Sequence, residues 1–157
     1  SQGPVMISQG QEWGRSKVIA PTKVPDENVG QLDHNSYEKD NETNWLNWDH
    51  KDKNIELVNF YKSLINIRKE YSLLRHAKPH QFEFIKPTGS DVAIGFIING
   101  KHENLIMLLN SHQNDDAQFD LNLAHLSILI STQDNFQITG PSIKLPPISG
   151  LILKYEK

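Results

Sequence analysis

The chain has 157 residues, 37% hydrophobic and 22% charged, with 9 Gly, 8 Pro and no Cys, which fits one globular domain or one small domain with an appendage rather than a whole large enzyme. Sixteen Lys and Arg against nineteen Asp and Glu leave a formal charge of -3, so no summed positive field exists to gather nucleic acid or anionic lipid. The lack of cysteine excludes disulfide frameworks, thiolate nucleophiles and Cys-containing metal sites, while leaving the compartment open. The longest apolar run, Ile94 to Ile98 with Gly95 inside it, is far short of a membrane span, and no basic segment leads into an apolar one at the N-terminus. The chain therefore reads as soluble, without a membrane or nucleic-acid partner and without a visible export signal; cytoplasm and cell exterior both remain open.

In chain order, Pro4-Val5-Met6-Ile7 reads as one short strand, after which Gln9-Gly10-Gln11-Glu12-Trp13-Gly14-Arg15 enters a polar, Gly- and Asn-rich segment lacking periodic hydrophobicity. That loop covers about thirty residues up to Trp48, where connections are usually about 4–6 residues long, and loops of such length are functional or disordered. Trp13, Trp45, Trp48 and Tyr37 argue against disorder, because disordered segments are poor in aromatics. A helix is expected near Asp52 to Arg75, with Asp52 as N-cap: Leu57, Val58, Tyr61, Leu64, Ile65 and the stem of Arg68 recur three and four apart and would form one buried face. Arg75 to Pro79 supplies a basic end and a stop.

From about His80 the pattern changes to short β-type runs: Phe82 to Lys86, Val92 to Asn99, Leu105 to Asn110, Ala117 to Leu121, Ser127 to Ser131, Ile143 to Leu145 and Leu151 to Tyr155. Gly, Pro, Asn, Asp or Ser separate them, so a compact antiparallel β domain is predicted. Asn99-Gly100 predicts a two-residue type I′ turn joining the two most apolar strands into a central hairpin. Val92, Ile94, Phe96 and Ile98 share one face of the first, and Ala93, Gly95 and Ile97 share the other. Neither face is polar, so this strand is expected to be covered on both sides, with the helix as one cover.

An isolated strand cannot satisfy its own edges, and Val5 to Ile7 has no antiparallel partner within reach of a short turn. A strand, a long functional loop, a helix and then a separate β domain is how the last unit of a (β/α)8 barrel would look without its other units. Physics of the sequence alone leaves this as one option. A more specific indication lies in the motifs. Gly3-Pro4-Val5-Met6-Ile7-Ser8-Gln9-Gly10-Gln11-Glu12-Trp13-Gly14-Arg15-Ser16-Lys17, then Asn35-Ser36-Tyr37, Asp40-Asn41-Glu42 and Trp45-Leu46-Asn47-Trp48 resemble the C-terminal end of α-amylase-type glycoside hydrolases of family 13. The pullulanase, isoamylase and glycogen-debranching members are the nearest in pattern. Asn47 departs from it, standing where the isoamylase pattern carries Asp. Ile67-Arg68-Lys69 and Pro146-Pro147-Ile148-Ser149-Gly150-Leu151 are similar to the family's eighth barrel helix and C-terminal β-sandwich, so the resemblance spans nearly the whole chain.

The fold implied is mainly β with α: residues 1–79 as the terminal strand, loop and helix of an incomplete TIM-type barrel, and 80–157 as an antiparallel β-sandwich. The chemistry implied is a retaining hydrolysis of α-1,6 or α-1,4 glucosidic bonds, which needs two carboxyl groups about 5–5.5 Å apart across the scissile bond. In the family those carboxylates lie on earlier barrel strands, upstream of Ser1, so no catalytic residue is assigned here and the isolated chain is expected to be inactive. The partners implied are an α-glucan and either the missing catalytic barrel portion or another copy of the fragment.

Glu12, next to Trp13, invites a reading as a general acid raised by an apolar neighbour. The preferred reading is structural, with Glu12 and Arg15 satisfying one another or loop amides at the barrel mouth. Arg15-Ser16-Lys17 lacks the Gly-rich loop of a phosphate site. Asn35, Tyr37, Asp40 and Asn44 are the candidate substrate-binding residues, because amide and carboxylate groups bind sugar hydroxyls while an aromatic face covers the ring. In the resembled enzymes this loop lines donor-side subsites; the competing reading is that the Asn and Asp residues form Asx-turns. Trp45 and Trp48 are expected as packing anchors of the loop, with Trp13 open between packing and stacking. The seven histidines never take a ligand spacing, and Asp26-Glu27 with Asp40 lacks the regularity of a calcium loop, so no metal or cofactor is indicated. Asp33, His34 and Ser36 adjoin in one loop without a nucleophile elbow and make no triad.

Two classes of function follow. The leading one is a C-terminal fragment of an α-glucan-acting hydrolase that frames substrate and supports the fold. The alternative is a non-catalytic carbohydrate-binding or structural β-sandwich module, which an exposed aromatic platform would favour; Phe119, Phe136 and Tyr155 are its only candidates on the last strands.

Overall fold

The computed structural model describes residues 3–121 and 125–156. They fall into two compact units, one made of Val5–Ser63 and the other of the residues from Leu64 onward with Gly3 and Pro4.

In the first unit, Val5 to Ile7 forms no ladder and all three side chains are exposed. The expected strand is therefore absent as a strand: a ladder is a property of two segments, and no described residue pairs with this one. The loop beyond it contains two single turns of 3-10 helix, Gln11–Trp13 and Glu42–Asn44. A short helix α1, Asp49–Lys53, precedes α2, Ile55–Glu70. Asp52 thus lies inside α1 rather than capping the long helix. The break falls at Asn54, which has a non-helical backbone and whose side-chain amide donates to the carbonyl of Trp13 at 2.8 Å. The expected apolar face of α2 is covered only in part: Val58 is buried and Tyr61, Leu64 and Arg68 are half-buried, but Leu57 and Ile65 are exposed.

The second unit begins with the C-terminal turns of α2, which stop where Arg75 turns back on them. Its guanidinium donates to the carbonyls of Arg68 and Lys69, satisfying oxygens that a helix end leaves without a partner. A further turn, α3 at Leu73–His76, and a 3-10 turn at Pro79–Gln81 lead into the sheets. The strands are β1 Phe82–Ile85, β2 Ala93–Asn99, β3 Glu103–Asn110, β4 Ala117–Asp120, β5 Leu126–Ser131, β6 Gln137–Thr139, β7 Ser142–Leu145 and β8 Ser149–Glu156. They form an antiparallel five-stranded sheet ordered β1-β2-β3-β8-β5 and a three-stranded sheet ordered β4-β7-β6. The seven predicted runs are present within a few residues, and β6 is additional.

Alternation of side chains builds two layers on the larger sheet. Ile97, Ile106, Leu108, Leu151 and Leu153 point to the smaller sheet and meet Phe119, Ile143 and Leu145 in one fully closed core. Each such Leu or Ile removed from water contributes about 1.5–3 kcal/mol. Gly95 leaves the room that the Phe119 ring fills, since a Cβ there would lie 2.7 Å from that ring. On the opposite face Ile98 and Leu105 pack under Tyr71 and Leu74, so β2 is covered on both sides at its Asn99 end. At its other end Ile94, opposite Leu109 of β3, is exposed, as is Phe84 of β1, which lies opposite Phe96.

The Asn99-Gly100 turn differs from expectation. Asn99 pairs with Asn104, so the turn has a longer loop than two residues, and Gly100 does not take a positive φ. The buried Asn104 closes it by accepting the Gly100 N–H on Oδ1 at 2.9 Å. Glycine is required there for space: a Cβ would stand 2.2 Å from the Glu103 carbonyl oxygen and 2.7 Å from Leu73.

Candidate functional site

The segment from Gly10 to Trp48 is a built loop, and its ties are local to the first unit. Gly10, at φ 87, starts the first 3-10 turn, and its carbonyl accepts from both Trp13 N at 3.2 Å and Arg15 N at 2.9 Å. The Arg15 side chain fills the space a Cβ on Gly10 would need, and its guanidinium donates to the carbonyls of Gln9 and Asn44. Arg15 therefore ties the first turn to the second through backbone oxygens and makes no ion pair with Glu12. The Glu12 Oε2 is buried without a partner, as is the Trp13 indole nitrogen. Trp13 itself is 4% exposed, and Trp48 leans on it with ring centroids 5.1 Å apart.

Further along, Ile19 N–H donates to Gln31 at 2.9 Å and Asp33 N–H to Lys17 at 2.9 Å, closing residues 17–33 into a lobe. Lys39 reaches back to Asp33 at 2.6 Å, and Asn35 N–H donates to the same carboxylate at 2.8 Å. The Lys39 hydrogen bond, then that amide, hold Asp33 below the usual carboxylate range. Beneath this, Lys17 donates to Ser36 Oγ at 2.7 Å and Ser36 donates to Asn44 Oδ1 at 2.8 Å. The Asn44 amide nitrogen donates to the carbonyls of Ser36 and Lys39. Asn41 accepts Thr43 N–H at 2.9 Å to start the second 3-10 turn, and buried Thr43 accepts Ala20 N–H on its hydroxyl at 3.1 Å.

The consequence for the four candidate sugar-binding residues is a division of labour. Asn35, Tyr37 and Asp40 are exposed, and Tyr37 at 76% is among the most exposed aromatics of the chain. Its hydroxyl donates to Glu38 at 2.6 Å, which raises its pKa, since the carboxylate opposes loss of that proton. Asn44 has both ends of its amide engaged by the loop. Trp45 is 64% and Trp48 57% exposed. Trp45 lines an open cleft together with Thr22, Lys23, Asp40 and Glu42. Among the described residues no three His, Asp or Glu side chains converge as a metal site, and no helix is long and apolar enough to cross a membrane.

Sequence reasoning missed the members that hold the loop: Lys17, Asp33, Ser36, Lys39, Asn41 and Thr43. The Asn41-Glu42-Thr43 and Asp33-His34-Asn35 spacings carried a usable signal, because Asn and Asp side chains bind the amide two residues on. In the second unit, Phe119 is fully buried, while Phe136 and Tyr155 pack against the core. These three therefore form no exposed platform.

No protein-family model and no curated protein matches the chain. Solved structures do. The catalytic module of SpuA, a multi-modular glycogen-degrading pneumococcal virulence factor, is 20% identical with a TM-score of 0.79 over 99% of this chain and 29% of its own. The pullulanase from Paenibacillus barengoltzii, solved with maltohexaose and α-cyclodextrin, is 19% identical with a TM-score of 0.77 over 100% of this chain and 23% of its own. The Group B Streptococcus pullulanase SAP is 15% identical with a TM-score of 0.73 over 95% of this chain and 25% of its own. This chain thus spans less than a third of the length of each. At such identities the likeness shows the fold: the chain is folded like a segment of these pullulanase and glycogen-degrading enzymes.

Proposed function

We propose that this chain is the C-terminal part of an α-glucan-acting glycoside hydrolase of pullulanase type, in which residues 1–79 complete a barrel and residues 80–157 form its terminal β-sandwich. The observation that carries the reading is coverage: the whole chain follows the fold of pullulanase and glycogen-degrading enzymes while filling about a quarter of each. The motifs of the loop support it, as does the exposed, unladdered Val5–Ile7 segment, which has the hydrogen-bonding needs of a barrel strand. The partner of that segment is then the catalytic barrel portion or a second copy of the chain.

In this role the loop frames substrate and other parts of the enzyme break the bond. Asn35, Tyr37 and Asp40 offer an amide, a ring face and a carboxylate to glucosyl units, and Asn44 sets the backbone that carries them. Binding energy from sugars held here would position the scissile α-1,6 or α-1,4 bond against carboxylates supplied upstream. The sandwich reading as a separate carbohydrate-binding module gains no support from Phe119, Phe136 or Tyr155.

The test is to assay the purified chain against pullulan and glycogen for reducing ends and, in parallel, to measure its retardation in glycogen-containing native gels. Retardation without hydrolysis is expected. Hydrolysis by the chain itself, or migration indifferent to glycogen, would overturn the reading.

A further inference from the structure

The second 3-10 turn is fixed from two directions. Thr43 binds the backbone of Ala20, and the carbonyl of Asn44 receives Arg15. The next residue, Trp45, caps that turn with an extended backbone and its N–H on Glu42 at 3.2 Å. A doubly anchored turn thus carries a large ring that is nearly two-thirds exposed. The Ala20–Thr43 bond also sets the opposite wall, because it places Pro21 to Lys23 beside Asp40 to Glu42 and creates the cleft in which Trp45 stands.

The polar side chains of that cleft are unspent. The side chains of Asp40, Glu42 and Lys23 have no hydrogen-bond or ion partner among the described residues, whereas that of neighbouring Asn41 is used for capping. A pyranose ring matches this set: its C–H face lies on an aromatic face, and its hydroxyls both donate to carboxylates and accept from an ammonium. An apolar lipid chain would leave the two carboxylates and the lysine without use.

We propose that Trp45 is a stacking platform for one glucosyl ring of an α-glucan, held in the cleft between Thr22-Lys23 and Asp40-Glu42. This rests on the α-glucan reading above and adds a subsite to it, one separate from Asn35 and Tyr37. The role differs from that of Trp48, whose ring makes a tilted contact with Trp13.

The test is isothermal titration of the full chain with maltohexaose, comparing it with Trp45→Ala, Trp45→Phe and Tyr37→Ala, with circular dichroism as the check of folding. Trp45→Ala should bind about tenfold more weakly and Trp45→Phe should recover most of the loss, since a smaller ring keeps part of the stacking surface. If Tyr37→Ala weakens binding while folded Trp45→Ala equals the unsubstituted chain, the platform is refuted and the α-glucan reading stands. If the unsubstituted chain takes up no maltohexaose, both are refuted. Should Trp45→Ala fail to fold, the Trp45 indole N–H resonance of the unsubstituted chain decides: it moves on adding maltohexaose if the ring is a platform, and an unmoved resonance overturns the proposal.

Discussion

Asn110, buried at the end of β3, shares its amide nitrogen among the carbonyls of Asp115, Leu145 and Pro146, and its Oδ1 accepts from Ser90 Oγ and His112 N. One side chain thereby satisfies the ends of several segments that leave the sheets together. Asn110→Ala should cost about 3 kcal/mol in urea unfolding, because it leaves buried carbonyls and a hydroxyl without partners; a loss below about 1 kcal/mol would mean that water replaces the amide. Asp33 is the titratable counterpart in the loop. Its carboxyl is held low by Lys39 and the Asn35 amide, so its contribution is complete above the ordinary carboxylate range and is lost as pH falls through the depressed value. Following the Asp33 side-chain resonance with pH should give a midpoint below that of an unstructured Asp, and Lys39→Met should raise it. Equal midpoints in the two proteins would remove Lys39 as the cause.

At the scale of elements, the β-rich half was readable because alternation within each run is local information, and seven runs emerged with nearly the right ends. What escaped was whatever depends on a second segment. Gln137–Thr139 carries one apolar residue and is entirely exposed, yet it is a strand because β7 pairs with it. Val5–Ile7 has a stronger strand composition and forms none, for want of a partner among the described residues. Nothing local marks the break of the long helix at Asn54, whose side chain is held by the distant Trp13 carbonyl. The Asn99-Gly100 dipeptide was identified correctly as a turn but for the wrong reason: space, rather than positive φ, demands the glycine. Gly100→Ala should accordingly destabilise the chain by about 2 kcal/mol in thermal or urea unfolding, as overpacked sites do. A neutral substitution would show that the turn can relax away from Glu103 and Leu73.

At the scale of the whole molecule, the chain carries a sandwich whose core is closed and a loop whose ties are nearly all internal. Asn35, Tyr37 and Asp40 are candidates because they sit in motifs, and the structure leaves them exposed. The exposure of Trp45 could not be read from the sequence, since it follows from bonds that Ala20 and Arg15 make to a turn far along the chain. A packing anchor and a binding platform look alike in sequence, both being a tryptophan next to polar residues. In the proposed role this loop receives an α-glucan while residues elsewhere perform the chemistry. The most direct measurement is a titration of the isotopically labelled chain with maltohexaose, followed by amide and indole NMR shifts. Shifts clustered at Tyr37, Asp40 and Trp45 are expected, and a spectrum that stays unchanged or moves only at residues 80–157 would contradict this role.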